Sequence, residues 1–518
     1  MKTLQRTFIV GLLTVLCLSA KAQKNDYMWL SGYDSDVGYD SVTNTLYGNS
    51  VLDFNYSPRH IGYDSLGMNF FETNVSYSDT DGNLLFYSNG IYVANRLDER
   101  ILNSDSINYG PLISWWNPMI AEYGYTTPQG ILALDHPGLY NNYYLVHAYI
   151  DTAPAPYIQL VTNILTTTIN LDLNAGHGVV LLKNVPVITD TLGWELTAVR
   201  HGNGRDWWIL AQERNSNCYY RLLLDNNGLH VMSTKACGGC NIEQGSVGSC
   251  CFSPDGTKFV EYSVNALTVP TVNIFDFDRC TGLLSNSIQI PLPTIADSGW
   301  FANGVAISAN SRFLYVGATF HVYQYDLKAQ DIAASIDTVA IYDGFQAPFG
   351  SYFNTMQIGP DGKIYESCGN GEKVYHVIER PDEKGDSCEF VQHGISLPTF
   401  SIGIPNFPNY RLGALFGSSC DTLTGLSEEA RTEKEKIIKI YPNPASDYIT
   451  IDYGYTNWVK GNVDLEILNA LGQIVYAQTL PSYSGFQKVD VSNLPQGYYV
   501  VQLKRNAAVV AERPFVKE

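Results

Sequence analysis

The residues of this chain with the widest chemical range are its cysteines, a few histidines set among polar turns, and two pairs of adjacent tryptophans. Cys237-Gly238-Gly239-Cys240 has the spacing of a zinc knuckle or a dithiol redox site, and Cys250-Cys251 follows closely. Four thiolates can hold zinc, but the second pair is adjacent rather than C-x-x-C, which does not suit a tetrahedral set. A dithiol redox site needs an α/β setting that the surrounding sequence does not offer. A disulfide cluster is therefore the expectation. His201 in Arg200-His201-Gly202-Asn203-Gly204-Arg205-Asp206 has an acid near it and could serve acid–base chemistry, yet its composition is that of a polar hairpin turn. Gly176-His177-Gly178 reads the same way. Asp276-Phe277-Asp278 offers two carboxylates without the ligand loop that calcium requires, so Ca²⁺ stays unlocalised and no other cofactor is implied. The sequence has no nucleophile elbow, zinc-binding H-E-x-x-H helix or phosphate loop, and acids for glycoside cleavage cannot be selected among so many turn aspartates. Trp115-Trp116 and Trp207-Trp208 are candidate ligand contacts, because aromatic faces stack on sugars and peptides. In a strand one ring of each pair faces each side, so at least one per pair is expected in the core.

The elements that must position these residues are strands. Asp81-Gly82-Asn83 leads into Leu84–Ser88, Asn141-Asn142 into Tyr143–Val146, and Gly204–Asp206 into Trp207–Leu210 with a partner strand at Tyr219–Leu224. Pro254-Asp255-Gly256, Asn310-Ser311 and Pro360-Asp361-Gly362 each precede a pair of aromatic and aliphatic strands. Such turn residues supply the positive φ of tight hairpins. The units recur about 45 to 65 residues apart, the spacing of four-stranded propeller blades, which must stack around an axis to bury both faces. Six or seven blades are expected, with an array of β-sandwiches as the competing arrangement.

Composition agrees. Apolar residues make up 45% of the 518, aromatics 13% with 36 tyrosines, and charged residues 16%. That profile favours an all-β protein of two or more domains. A net charge of −19 argues against nucleic acid and anionic lipid as partners. At the front, Lys2 and Arg6 precede an apolar run from Phe8 to Leu18 that is too short to span a bilayer. Ala20-Lys21-Ala22 then predicts signal-peptide cleavage between Ala22 and Gln23. Leu16 before Cys17 is too bulky for a lipobox, and no transmembrane segment is expected. Export makes disulfides natural, and the odd number of cysteines beyond Cys17 leaves at least one unpaired.

Three stretches carry family resemblances. Phe252-Ser253-Pro254-Asp255-Gly256-Thr257-Lys258-Phe259-Val260 resembles the hairpin of WD40-like and lactonase-like β-propellers, with degenerate copies at Ile307–Val316 and Ile358–Tyr365. The Ser253–Thr257 run also partly resembles a sialidase Asp-box, with the aromatic displaced to Phe259. Segments at Ser78–Gly90 and Leu196–Trp208, with the Phe252 turn, are similar to large bacteroidete surface proteins. Short Asp-Ser/Thr-aliphatic triplets, such as Asp64-Ser65-Leu66 and Asp337-Thr338-Val339, resemble the O-glycosylation acceptors of such exported proteins. The tail is the most specific match. Tyr441-Pro442-Asn443-Pro444, then Leu471-Gly472-Gln473, then Gly497-Tyr498, follow the order and spacing of the type A C-terminal sorting domain of the type IX secretion system. That resemblance implies an Ig-like β-sandwich, passage through the outer membrane, removal by a sortase, and attachment to lipopolysaccharide or release.

The sequence therefore predicts a signal peptide at 1–22, a β-propeller body at 23–420, a polar linker at 421–437 and a sorting sandwich at 438–518. The partners implied are the type IX machinery with its sortase and an unidentified glycan or protein ligand. A secreted or cell-surface binding protein is the expected function. The alternative is an exported polysaccharide- or peptide-degrading enzyme with acids in the propeller channel.

Overall fold

The computed structural model describes residues 23–42, 44–115, 123–153, 158–237, 247–264, 269–293, 304–421, 436–455, 463–469, 472–480, 485–505 and 508–518. The expected signal peptide with Ala22, and Trp116, Cys240 and Leu471, lie outside these residues.

Asp-Gly turns set the strand repeat. In the Phe252 hairpin the Ser253 hydroxyl donates to Asp255 Oδ1 at 2.6 Å and accepts the Lys258 N–H at 2.9 Å, while Asp255 Oδ1 accepts the Thr257 N–H at 3.0 Å. Gly256 at φ +71° closes the turn. The degenerate copy substitutes Ser308 and Asn310: Ser308 Oγ donates to Asn310 Oδ1 at 2.8 Å and accepts the Phe313 N–H at 2.8 Å. A cross-strand ion pair recurs beside each of three turns, Lys258–Asp276, Arg312–Asp326 and Lys363–Glu379.

The strands form antiparallel sheets that follow the chain. Four-stranded sheets are built by Val247–Phe252 to Leu283–Pro291, by Gly304–Ile307 to Asp337–Ile341, and by Phe353–Ile358 to Phe390–Ser401. Val75–Ser78, Leu84–Ser88 and Val93–Asn95 make a three-stranded sheet. Between these lies an eight-stranded sheet in which Val179–Arg200 serves twice. Its first half pairs with Ile158–Asn170 and its last residues with Trp207–Glu213, so one long strand joins two four-stranded units. The first strands of successive units touch in order: Val75–Ser78, Ile131–Asp135, the end of Val179–Arg200, Val247–Phe252, Gly304–Ile307 and Phe353–Ile358. The circuit is closed by a sheet absent from the sequence expectation, Met28–Tyr33 with Gly48–Asp53 and His60–Asp64. It touches Val75–Ser78 on one side and Phe390–Ser401 on the other. This ring of sheets is a β-propeller.

An extended segment, residues 402–413, runs along the axis of the ring. The Asn406 N–H donates to Asn74 O at 3.0 Å, and its side-chain amide to Ile131 O at 3.0 Å and Leu196 O at 3.2 Å. One residue thus ties three units together. Ile404, Phe407 and Tyr410 join the largest apolar cluster beside Trp29, Tyr77 and Trp207.

The tail is a separate two-layer β-sandwich. Lys436–Tyr441, Tyr448–Tyr455 and Gly485–Asp490 form one sheet. Ile474–Leu480, Val463–Asn469, Gly497–Arg505 and Ala508–Lys517 form the other. Its own core includes Ile449, Ile451, Leu465, Ile467, Val501 and Phe515.

The expected disulfide cluster does not form. Cys237 pairs across a strand with Cys218, Cys280 pairs with Cys420, and Cys250 and Cys251 are free thiols. Adjacent residues of a strand point to opposite faces, so Cys250 and Cys251 cannot converge on one partner.

Candidate functional site

A cavity of about 240 Å³ opens at the end of the axis where the first strands finish. Thr197 and Ala198, Cys250 to Phe252, Val305 to Ile307 and Met356 to Ile358 supply one wall, and Asn406 to Asn409 with Arg411 supply the other. Small and apolar side chains at these strand ends leave the space: Ala198, Ala306 and Ala309 line it where larger residues would fill it. Thr197 and Asn406 at its base are 5% and 4% exposed, whereas Ala309 and Arg411 are open to solvent.

Its polar groups are few and mostly engaged. Gln129 Oε1 accepts the Cys250 N–H at 2.7 Å and Gln129 Nε2 donates to Cys250 O at 3.0 Å. Arg411 pairs with Asp26, the cavity's one carboxylate among the described lining residues. Burial raises the Asp26 carboxyl, and Arg411 opposes that shift. Cys251 is among the lining residues, and burial pushes its thiol up to about 12, so it is a poor nucleophile at neutral pH.

The carboxyl groups best placed for acid–base work stand elsewhere, between sheets. Burial, then the neighbouring Glu261, pushes Glu195 up to about 8. Glu261 is raised to about 7 by burial and accepts from the Tyr219 hydroxyl at 2.6 Å. Glu372 is raised to about 7 by burial and accepts the Phe349 N–H at 2.6 Å. Glu366 is raised well above the carboxylate range, and neither of its oxygens has a partner. None of the four lines the cavity. Among the described residues no group of histidine, cysteine and acid side chains is placed to hold a metal ion.

The other sequence candidates resolve into structural parts. Trp207 and Trp208 are 0% and 2% exposed, so neither presents a free ring. Trp207 lies under the Arg200 guanidinium at 3.7 Å, and Trp208 Nε1 donates to Arg279 O at 2.9 Å. The alternation of faces holds, but a propeller blade is covered on both faces by its neighbours. Trp115 ends the short helix Pro111–Trp115. His201 accepts the Asn203 N–H on Nδ1 at 3.0 Å and sits in the turn its sequence implied. His177 bonds Glu99 at 2.5 Å. Asp276 is held by Lys258 and Asn286, and Asp278 caps the Cys280 N–H at 2.8 Å, so both carboxylates are engaged.

In the tail, Asn443 Oδ1 accepts the Val516 N–H at 2.9 Å, joining the Tyr441-Pro442-Asn443-Pro444 motif to the last strand. Gly472 at φ +76° and Gln473 form a turn closed on Asn469. Gly497 opens a strand on which Tyr498 is exposed and Tyr499, Val501 and Leu503 are buried.

Residues 439–517 match the family model of the secretion system C-terminal sorting domain. The chain is therefore type IX secretion cargo, delivered to the cell surface or beyond, and among the described residues no helix is long and apolar enough to cross a membrane. No curated protein matches the chain. It is similar to a putative 6-phosphogluconolactonase of Bacteroides uniformis (13% identity, 73% of this chain and 98% of that one, TM-score 0.41). It is also similar to a periplasmic gluconolactonase of Pseudomonas aeruginosa (11% identity, 89% and 98%, TM-score 0.33). A putative 6-phosphogluconolactonase of Bacteroides fragilis shows 12% identity over 60% and 93%, with a TM-score of 0.26.

Proposed function

We propose that the chain is a type IX-exported binding protein: a seven-bladed propeller at 23–420, preceded by a signal peptide at 1–22 and followed by a linker and the sorting module at 438–518. Its axial cavity takes a small, mainly apolar ligand with a hydrogen-bonding head. The observation that carries this is the lining: mostly apolar side chains, with one ion pair that neutralises itself and the amides of Gln129, Gln357, Asn406 and Asn409 as the polar groups. Ligand sites of this kind are concave and mostly apolar with a few placed polar groups. A volume of about 240 Å³ is below the common range of about 300–1,000 Å³, so the ligand is compact.

An enzyme with acids in the channel would need carboxyl groups facing the cavity, and Asp26 is bound to Arg411. The test is a panel of compact metabolites screened by thermal shift, with protection of the Cys251 thiol from maleimide as the local readout. A ligand should protect Cys251 and raise Tm, and Ala306→Phe should abolish both effects. Ligands that raise Tm equally in Ala306→Phe would place the site elsewhere.

A further inference from the structure

The far wall of the cavity belongs to the same segment that runs down the axis, and that segment is fastened at its end. Tyr410 donates its hydroxyl to Ala133 O at 2.7 Å, and Asn409 donates to Pro254 O at 2.8 Å. Beyond the cavity the buried Arg279 guanidinium donates to Gly413 O at 2.6 Å while its Nε donates to Arg200 O at 2.8 Å. The Leu415 N–H donates to Gly202 O at 2.7 Å. The last fastening is covalent: Cys420 is bonded to Cys280, next to Arg279, with a sequence separation of 140. Cys420 is also close to the end of the described body, so every residue of the sorting tail attaches beyond this bond.

We propose that the Cys280–Cys420 disulfide is the latch of the axial cavity: it keeps the wall from Asn406 to Arg411 seated and isolates it from the tail. Between Arg411 and Cys420 the chain is held by single hydrogen bonds that open locally. A cross-link at its end limits how far any such opening can travel, and it closes a long loop, where a cross-link restricts the unlocked chain most. Tension on the tail during export, or loss of the tail afterwards, is then stopped at Cys420 and does not reach the cavity. The second disulfide, Cys218–Cys237, joins two strands of one sheet and has no such role. The idea rests on the axial cavity being the binding site, but its test needs no ligand.

The experiment is maleimide labelling of Cys251 in the full-length protein, located by peptide mass spectrometry, with hydrogen exchange read over residues 404–415. Cys280→Ala/Cys420→Ala should label Cys251 about tenfold faster or more, and exchange faster over that segment, than wild type. Cys218→Ala/Cys237→Ala should leave both rates within about twofold of wild type. To avoid any folding defect, the folded Cys218→Ala/Cys237→Ala protein is also treated with a phosphine reductant. Breaking its one remaining described disulfide should reproduce the faster labelling. Equal labelling with the bond intact and broken would overturn the latch, and a ligand that still protects Cys251 would leave the binding proposal standing.

Discussion

The body and the sorting tail are both antiparallel β-structures, but they close themselves in different ways. The tail is a small sandwich whose two sheets share one apolar core, and the described tail residues include no disulfide. The body is a ring, so its sheets are covered on both faces and its axis must be filled. It fills the axis with its own chain, from Ile404 to Tyr410, and it carries glutamates between sheets without cationic partners. The contrast shows where each region stores its specificity. The tail presents outward features on a self-sufficient scaffold, such as the exposed Tyr498. The body commits an internal segment to both its closure and the axial cavity.

The largest expected effect separates the two regions outright. Deleting residues 438–518 should retain the protein in the periplasm, read by cell fractionation, while the released body keeps its thermal transition. Unchanged surface delivery would break the division of labour. Next, Phe407→Ala should cost the body about 3–5 kcal/mol in denaturant unfolding, as for other buried aromatic deletions, and leave the tail transition in place. Asn406→Ala should cost about 2–3 kcal/mol, because it leaves the buried carbonyls of Ile131 and Leu196 without this donor. If either substitution cost under about 1 kcal/mol, the axial segment would be decoration rather than closure.

What could be read in advance follows the same divide. The tail motifs were legible because their roles are local: Gly472 supplies a positive φ and Gly497 opens an alternating strand. The blade turns were legible for the same reason, since Ser253, Asp255 and Gly256 satisfy one another within a few residues. The sheet that begins at Met28 was not, because its first two strands are joined by residues 34–47 and no Asp-Gly turn announces it. The axial segment was hidden more deeply. Ile404-Pro405-Asn406-Phe407-Pro408-Asn409 reads as a loop, and its partners are backbone carbonyls contributed by distant strands. Backbone acceptors leave no trace in a sequence. The buried Trp207-Trp208 pair erred in the opposite direction: the rule of alternating faces was sound, but both faces of a blade are interior.

The smallest effect sharpens the comparison through pH. A carboxyl whose pKa is higher in the folded chain binds its proton more tightly there. Its contribution is complete below the unfolded value and is lost as pH rises through the folded one. Glu72, Glu195, Glu261 and Glu372, raised to about 7, 8, 7 and 7, therefore weaken the body between about pH 4.5 and 8, and Glu366, raised well above the carboxylate range, acts in the same direction. His147 and His376, lowered to about 3 and 4 by burial, act with the opposite sign: their contribution is complete above about pH 6.5 and is lost as pH falls below it. Above pH 6.5 these glutamates still lose their protons while the lowered histidines no longer change, so the Tm of the body should fall from pH 6.5 to 8. Glu366→Gln should flatten that fall, since a neutral amide of the same shape carries no charge to bury. The tail carries none of these glutamates or histidines and should hold its Tm across this window. A body Tm that rises with pH, or a Glu366→Gln variant with the wild-type slope, would mean that these glutamates ionise in place, supported by groups other than those that pack against them.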